Sequence, residues 1–229
     1  MSTFVISDLH LSFGVNKPMN VFGDKWNNYE EKIKKDWFSK VTDNDFVIIA
    51  GDVSWATYLE EALEDFRWIE SLPGTKIILK GNHDYWWETV TKMNRFLEQN
   101  DIKTIKFLNN NCIETDEFLI CGTRYWSAEE EVDNEKIFNR EIERAKLSIE
   151  SAALLIKEDP SKDIKPIVMC THYPPDERLL EALKDYSIKK WIYAHIHSNY
   201  EENLANTGDI PSYLTSCDFL NFELLKLEI

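Results

Sequence analysis

Five short apolar runs in this chain are each followed at once by carboxylate, amide or imidazole side chains. The runs lie at 4–6, 46–49, 76–79, 167–169 and 191–193, and a sixth run at 118–120 has the same composition. They are continuous rather than alternating, which is typical of strands covered on both faces. The polar residues that follow the five runs are Asp8, His10, Asp52, Asn82, His172, His195 and His197.

Patterns of helical period separate these runs, at 28–40, 57–71, 86–98 and 133–158. Thr57 with Glu60 three residues later predicts a capping box at the start of the second helix. The fourth helix is rich in Glu and Lys and ends before Pro160, and its pattern fits either a surface helix or a lid. Alternating apolar residues in the tail, 213–229, predict one or two closing strands. The alternation of strands and helices predicts an α/β fold in a single domain over 1–229.

The histidines make the functional prediction specific. All five of them, His10, His83, His172, His195 and His197, follow strand-like runs, and none lies in a helical pattern. Open α/β sheets gather ligands at the carboxyl ends of their strands. Imidazoles mixed with carboxylates and an amide suit divalent Mn, Fe, Zn or Co. The sequence therefore predicts a metal centre, although Asp and Asn also favour ordinary turns.

The ordered pattern D-x-H, G-D, G-N-H-D, H and H-x-H resembles that of the calcineurin-like metallophosphoesterases, in their bacterial phosphohydrolase type. It stands here as Asp8-Leu9-His10, Gly51-Asp52, Gly81-Asn82-His83-Asp84, His172 and His195-Ile196-His197, and so spans most of the chain. The resemblance implies two stacked mixed sheets flanked by helices, a four-layer sandwich. It also implies two divalent metal ions, of which manganese is one candidate.

The resemblance assigns a role to each motif position. Asp8, His10, Asp52 and His197 would bind the first metal. Asp52, Asn82, His172 and His195 would bind the second, with Asp52 bridging. His83 would assist the leaving group, and Asp84 would orient a ligand or His83. Two such cations bind a shared water, whose pKa falls toward about 7, and the hydroxide attacks phosphorus.

Two positions depart from the family pattern. Ala194 stands where the family usually has Gly, which is tolerable if the backbone there is not left-handed. The Asp and Arg that follow G-D in protein Ser/Thr phosphatases are missing after Asp52, which disfavours that subclass. Arg124, just past a strand, is the candidate replacement for the phosphate clamp, because a guanidinium holds phosphate through two parallel hydrogen bonds.

The composition of the chain disfavours some classes of binding partner. The formal net charge of -15 disfavours nucleic acid and anionic membranes, since both attract Lys and Arg. A small phosphorylated substrate stays compatible, because bound cations reverse the local field. The four cysteines suggest no disulfide framework, and the chain shows no signal peptide, so the expected location is the cytoplasm.

The sequence thus predicts a hydrolase that cleaves a phosphomonoester, a phosphodiester or a nucleotide. The alternative is a catalytically silent protein-interaction scaffold with the same fold. The presence of His83, which a scaffold does not need, favours the enzyme. The physiological substrate, the metal identity and the oligomeric state stay open at this stage.

Overall fold

A computed structural model describes residues 1–126, 135–159 and 165–228. Its strands are Thr3–Ile6 (β1), Phe46–Ile49 (β2), Thr75–Leu79 (β3), Ile105–Leu108 (β4), Cys112–Glu114 (β5), Leu119–Thr123 (β6), Ile167–Thr171 (β7), Ile188–Tyr193 (β8), Ser212–Leu214 (β9) and Leu225–Leu227 (β10). Its α-helices are Tyr29–Lys40 (α1), Leu63–Glu70 (α2), Val90–Gln99 (α3), Glu135–Glu158 (α4), Glu177–Leu183 (α5) and Tyr200–Asn203 (α6).

The strands form two five-stranded mixed sheets. The first has the order β10-β1-β2-β3-β4, in which β1 to β4 run parallel and β10 is antiparallel to β1. The second has the order β5-β6-β7-β8-β9, in which β6 to β9 run parallel and β5 is antiparallel to β6. Within each sheet the parallel strands therefore bring their carboxyl ends to one edge.

The two sheets pack face to face on apolar side chains. Val5, Ile48 and Ile77 of the first sheet share a buried cluster with Ile120 and Val168 of the second. The opposite face of each sheet carries a helical layer of its own. The helix-sheet-sheet-helix sandwich expected from the sequence is confirmed, and burial on both faces explains why the strand runs are continuous rather than alternating.

Helix α4 is one of these packed layers. Phe138, Ala145, Ile149 and Ala152 are buried against the second sheet. The hydroxyl of Ser148 accepts from the backbone N–H of Gly122 in β6 and donates to the carbonyl of Asn111. These contacts favour a structural layer over a lid. Pro160, Asp133 and Asn134, at the predicted ends of this helix, lie outside the described residues.

The structure differs from the sequence prediction mainly in where the helices begin. The second helix begins as a short 3-10 helix at Leu59–Ala62, and Glu61, not Glu60, accepts from the backbone N–H groups of Thr57 and Tyr58. The predicted helix at 86–98 begins only at Val90. The prediction also missed β4 and β5, while the tail supplies both β9 and β10.

Candidate metal centre

The predicted ligands lie where the carboxyl ends of the two sheets meet. Asp8, His10, Asp52 and Asn82 follow β1, β2 and β3 of the first sheet, whereas His172, His195 and His197 follow β7 and β8 of the second. The two groups are in contact. His172 Nε2 lies 2.7 Å from Asn82 Oδ1 across the junction of the sheets.

One cluster of possible metal ligands contains Asp8, His10 and His197, each with one ligand atom within 4.8 Å of the others. His10 Nε2 lies 3.3 Å from His197 Nε2, and His197 Nε2 lies 3.6 Å from Asp8 Oδ1. Asp8 and His10 are buried and His197 is partly exposed. The cluster therefore combines a carboxylate with two imidazoles at one edge of a cavity.

A second cluster contains Asp8, Asp52 and His172 under the same limit of 4.8 Å. Asn82 extends this cluster, because its Oδ1 lies 2.9 Å from His195 Nδ1 as well as close to His172. All the predicted ligands therefore belong to one continuous group of side chains.

Asp52 belongs to the second cluster and also faces the first. Its Oδ2 lies 3.9 Å from His10 Nε2, and its Oδ1 lies 3.6 Å from His172 Nε2. The two oxygens of one carboxylate thus face different imidazoles. Such a carboxylate could be shared between two cations.

The donor chemistry of these side chains fits a cation. His172 Nδ1 lies 3.0 Å from the carbonyl of Ala50, which only accepts, so Nδ1 carries the proton and Nε2 presents a lone pair. That lone pair faces the carbonyl oxygen of Asn82. Asp8 Oδ1 is also buried and has no hydrogen-bond partner among the described residues. A divalent cation would satisfy all three atoms.

The pKa values of the two buried histidines agree with this fit. Burial lowers the pKa of His10 and of His172 to about 3, so both imidazoles are neutral and able to ligate. Burial, followed by the charges of Asp84 and Asp8, raises the pKa of Asp52 well above its usual value. A bound cation reverses that trend, because it favours the ionised carboxylate.

Four of the predicted ligands have left-handed backbones. The φ values are 54° at Asp8, 46° at His10, 51° at Asp52 and 74° at His195. Such conformations cost about 1–3 kcal/mol each in non-glycine residues and cluster at functional sites. The left-handed residue in the last motif is thus His195 and not Ala194, which explains why Ala194 is tolerated there.

Gly81 allows the loops after β2 and β3 to approach each other. A Cβ at Gly81 would lie 2.0 Å from Asp52 Oδ1 and 2.2 Å from the backbone nitrogen of Asp52. Only a residue without a side chain leaves this space.

Asp84 holds the same two loops together. It is fully buried, and its carboxylate accepts hydrogen bonds from five groups: the backbone N–H of Asp52, Val53, Ser54 and Gly81, and the indole N–H of Trp86. The sequence prediction had Asp84 orienting a ligand or His83. The contacts agree with the first of these roles, because Asp84 holds the backbone that carries Asp52 and leads to Asn82.

Asp218 is a site residue that the sequence reasoning missed. Its Oδ1 accepts from His197 Nδ1 at 2.9 Å, and its Oδ2 accepts from Tyr200 and pairs with Lys25. This contact places the proton on His197 Nδ1 and leaves Nε2 facing Asp8 and His10. The available signal was weak, because Asp218 comes four residues after Leu214, the last residue of β9.

His83 lies beside the clusters. Its backbone N–H donates to Asp52 Oδ1 at 2.8 Å, and its Nε2 lies 4.0 Å from Asp52 Oδ2. The imidazole is partly exposed and lines a cavity of about 430 Å³, which we call the aromatic cavity. The other residues of the aromatic cavity are His10, Met19, Phe22, Lys25, Trp26, Trp55, His197 and Asp218.

Arg124 faces a different cavity. Its guanidinium carbon lies 5.1 Å from the centre of the Trp126 ring, and the residue lines a cavity of about 510 Å³ together with Lys80. Its backbone carbonyl accepts from the N–H of His172 at 3.1 Å. Arg124 is therefore attached to the loop that carries His172, but it lines a cavity next to the candidate metal centre rather than the centre itself.

The family model for calcineurin-like phosphoesterases matches residues 1–199. No curated protein matches the sequence significantly. Among the described residues, no helix is both long and apolar enough to cross a membrane.

Two solved structures with TM-scores above 0.5 show the same fold. A protein of unknown function from Aquifex aeolicus is 16% identical, with a TM-score of 0.55 over 98% of this chain and 95% of its own. A protein of Thermus thermophilus is 11% identical, with a TM-score of 0.55 over 99% and 97%. The phosphopantetheinyl hydrolase of Mycobacterium tuberculosis is 12% identical, with a TM-score of 0.47 over 99% and 95%.

Proposed function

The chain belongs to the calcineurin-like phosphoesterase family, and from that premise we propose that it hydrolyses a phosphate ester at a centre of two divalent metal ions. The observation that carries the proposal is the position of Asp52, whose two carboxylate oxygens face His10 on one side and His172 on the other. A carboxylate placed in this way is suited to bridge two cations.

The proposed ligands are divided between the two metals. Asp8, His10 and His197 hold the first metal, Asn82, His172 and His195 hold the second, and Asp52 belongs to both. Manganese, iron, zinc and cobalt all suit this mixture of imidazole, carboxylate and amide ligands. When bound, the ions supply an activated water and stabilise the negative charge of the transition state.

His83 is the proposed proton donor to the leaving group. Its imidazole borders the metal clusters and faces the aromatic cavity, where the departing part of a substrate would lie. Its ring centre lies 4.6 Å from that of Trp55, and this contact limits the positions that the imidazole can adopt. A positioned proton donor contributes typically about 10²–10⁴ in rate.

The surroundings favour a small substrate. The aromatic cavity beside His83 suits an organic leaving group, since Trp26 and Trp55 form its walls. The net charge of -15 is unsuited to binding nucleic acid or an anionic membrane surface. The four thiols are free, which agrees with the proposed cytoplasmic location.

Release of p-nitrophenol from its phosphate monoester and diester tests the proposal. The metal-loaded protein is expected to turn over at least one ester with added Mn²⁺ and to lose this activity with EDTA. Absence of turnover on esters and nucleotides, with both metals bound, would contradict the proposal and favour a protein-interaction scaffold.

Two variants test the division of roles. Asp52→Asn should lose metal and activity together, whereas His83→Ala should keep both metals and lose turnover by about 10²–10⁴. Asp101→Asn is a matched control, because Asp101 is also left-handed, at φ 58°, but its side chain is exposed on the surface. Equal metal loss in Asp52→Asn and His83→Ala would refute the separate roles.

A further inference from the structure

We propose that a basic cleft beside the metal centre binds a second anionic group of the same substrate molecule, so that the substrate is a small phosphate ester that carries another phosphate. This inference rests on the proposed phosphoesterase function and specifies its substrate class. We define the basic cleft by its four cationic side chains, which are Lys80, Arg124, Arg140 and Arg144.

The basic cleft is a cavity of about 510 Å³ at the carboxyl ends of β3, β4 and β6. Its volume lies within the range of small-molecule sites. Two of its cations, Lys80 and Arg124, follow strands of the two different sheets, and the other two come from α4. The cavity also presents polar side chains that can donate hydrogen bonds, including Asn109, Asn110 and Thr123.

Among the residues that the structure describes, the acidic neighbours of the basic cleft do not cancel its positive charge. Glu141 is buried and contacts both arginines of α4, at 2.6 Å from Arg144 and 3.6 Å from Arg140. One carboxylate thus faces two guanidinium groups. Glu88 also lines the cavity, but its charge is paired at 2.7 Å with that of Lys92, a residue outside the cavity.

An excess of positive charge in this place requires a reason, since the whole chain carries a formal charge of -15. Like charges gathered in one cavity repel one another, and a bound anion relieves this repulsion. Arginine and lysine side chains around a cavity bind phosphate through charge-assisted hydrogen bonds. A phosphate group is therefore the ligand that this chemistry fits.

The backbone fixes the basic cleft relative to the metal centre. Lys80 is two residues before Asn82, and the intervening Gly81 donates its N–H to Asp84 at 2.7 Å. On the other sheet, the carbonyl of Arg124 accepts from the N–H of His172 at 3.1 Å. Both inner walls of the basic cleft are thus tied directly to loops that carry proposed ligands.

The short distance between the basic cleft and the metal centre favours one substrate molecule that occupies both. Two residues span at most about 7 Å, so Lys80 and Asn82 are separated by no more than the length of a small organic molecule. The net negative charge of the chain disfavours a long polyanion such as nucleic acid, which needs cations along its length. A compact ester with two phosphates would place one at the metals and one in the basic cleft.

Steady-state kinetics test this with a matched set of nucleotides. The metal-loaded protein is expected to hydrolyse adenosine 3′,5′-bisphosphate with a kcat/KM at least about tenfold above that of both adenosine monophosphates. Arg140→Gln should raise the KM for the bisphosphate about tenfold, with a smaller change in kcat, and Arg140→Lys should restore part of the loss. Equal kcat/KM for the bisphosphate and the monophosphates would overturn the proposal.

Arg67→Gln provides the control. Arg67 is as exposed as Arg140, with 55% against 57% of the side chain accessible, and it also lies beside a glutamate, Glu64, but it lines no part of the basic cleft. Its removal should leave the KM for the bisphosphate unchanged. An equal rise in KM in Arg67→Gln and Arg140→Gln would show a general charge effect and would overturn the assigned site.

Binding of inorganic phosphate to the EDTA-treated protein separates this inference from the proposed function. Calorimetry should detect phosphate binding that weakens about tenfold or more in the double variant Arg124→Gln with Arg140→Gln. Equal affinity in wild type and double variant would overturn the basic cleft as an anion site, even if p-nitrophenyl phosphate is hydrolysed. Conversely, the metal-loaded wild type could hydrolyse no ester while the EDTA-treated wild type binds phosphate more tightly than the double variant. That result would refute the proposed function and support the basic cleft as an anion site.

Discussion

The replacement of Asp84 by asparagine tests how the fold supports the metal centre. One carboxylate oxygen of Asp84 accepts from Asp52 and Gly81, and the other accepts from Val53, Ser54 and Trp86. Asparagine has nearly the same shape but offers only one acceptor oxygen. Whichever way its amide turns, at least two buried N–H donors face an NH₂ group instead of an acceptor.

The magnitude follows from the number of donors left unsatisfied. Each buried N–H without an acceptor costs about 1–3 kcal/mol, so Asp84→Asn should lower the free energy of unfolding by about 2–6 kcal/mol. Typical domains have about 5–15 kcal/mol in total, so the variant should fold but with a clear loss. In the least unfavourable amide orientation, the N–H groups of Asp52 and Gly81 lose their acceptor. The loop that carries Asp52 is then held less firmly, so metal affinity should fall about 10–100-fold.

Urea unfolding followed by tryptophan fluorescence, in EDTA and at pH 8, measures the first effect. At that pH Asp84 is ionised, because burial raises its pKa only to about 6 while hydrogen bonds from Gly81, Ser54, Val53 and Trp86 lower it. Calorimetric titration with Mn²⁺ then measures the second effect. The two measurements separate a loss of stability from a loss of metal affinity.

Asp65→Asn is the matched control for this substitution. Asp65 is also fully buried, but it accepts from the backbone N–H of Phe13 and from the hydroxyl of Ser54. The hydroxyl can rotate and accept from the new amide, so this variant should lose less than about 1.5 kcal/mol. If Asp84→Asn is no less stable than Asp65→Asn, the reasoning from unsatisfied donors is wrong.

Two further variants examine other supports of the site. Asp218→Ala removes the acceptor that fixes His197 Nδ1–H, so Mn²⁺ affinity should fall about 10–100-fold in a calorimetric titration, and an unchanged affinity would refute this support. Gly81→Ala places a Cβ within 2.0 Å of Asp52 Oδ1, so both metal content and thermal stability should fall. Wild-type metal content in Gly81→Ala would show that the close approach of the two loops is not required.

The local signals in the sequence were sufficient for the main elements of the sandwich. Continuous apolar runs predicted β1, β2, β3, β6, β7 and β8, because most positions of a strand buried on both faces are apolar. The prediction missed β4 and β5. The run that forms β4 contains exposed Lys106, and β5 is only partly buried, so neither shows a continuous apolar pattern.

Helix starts were the least predictable boundaries. Thr57 and Glu60 matched a capping box by residue type, but Glu61 makes the contacts. The first residues of the predicted helix at 86–98 are instead held by tertiary contacts, since the indole of Trp86 donates to Asp84 and packs against Phe66. Such contacts depend on residues distant along the chain and leave no local pattern.

The sequence by itself determined which residue types follow each strand, and therefore the candidate ligands at strand ends. It did not determine that two separate sheets would bring their edges together, because that follows from the apolar packing of one sheet on the other. Only this packing places Asn82 of the first sheet 2.7 Å from His172 of the second. The same packing decides that Asp218 reaches His197 and that Lys80 and Arg124 share a cavity, since contacts between distant segments are set by the folded core and not by local sequence.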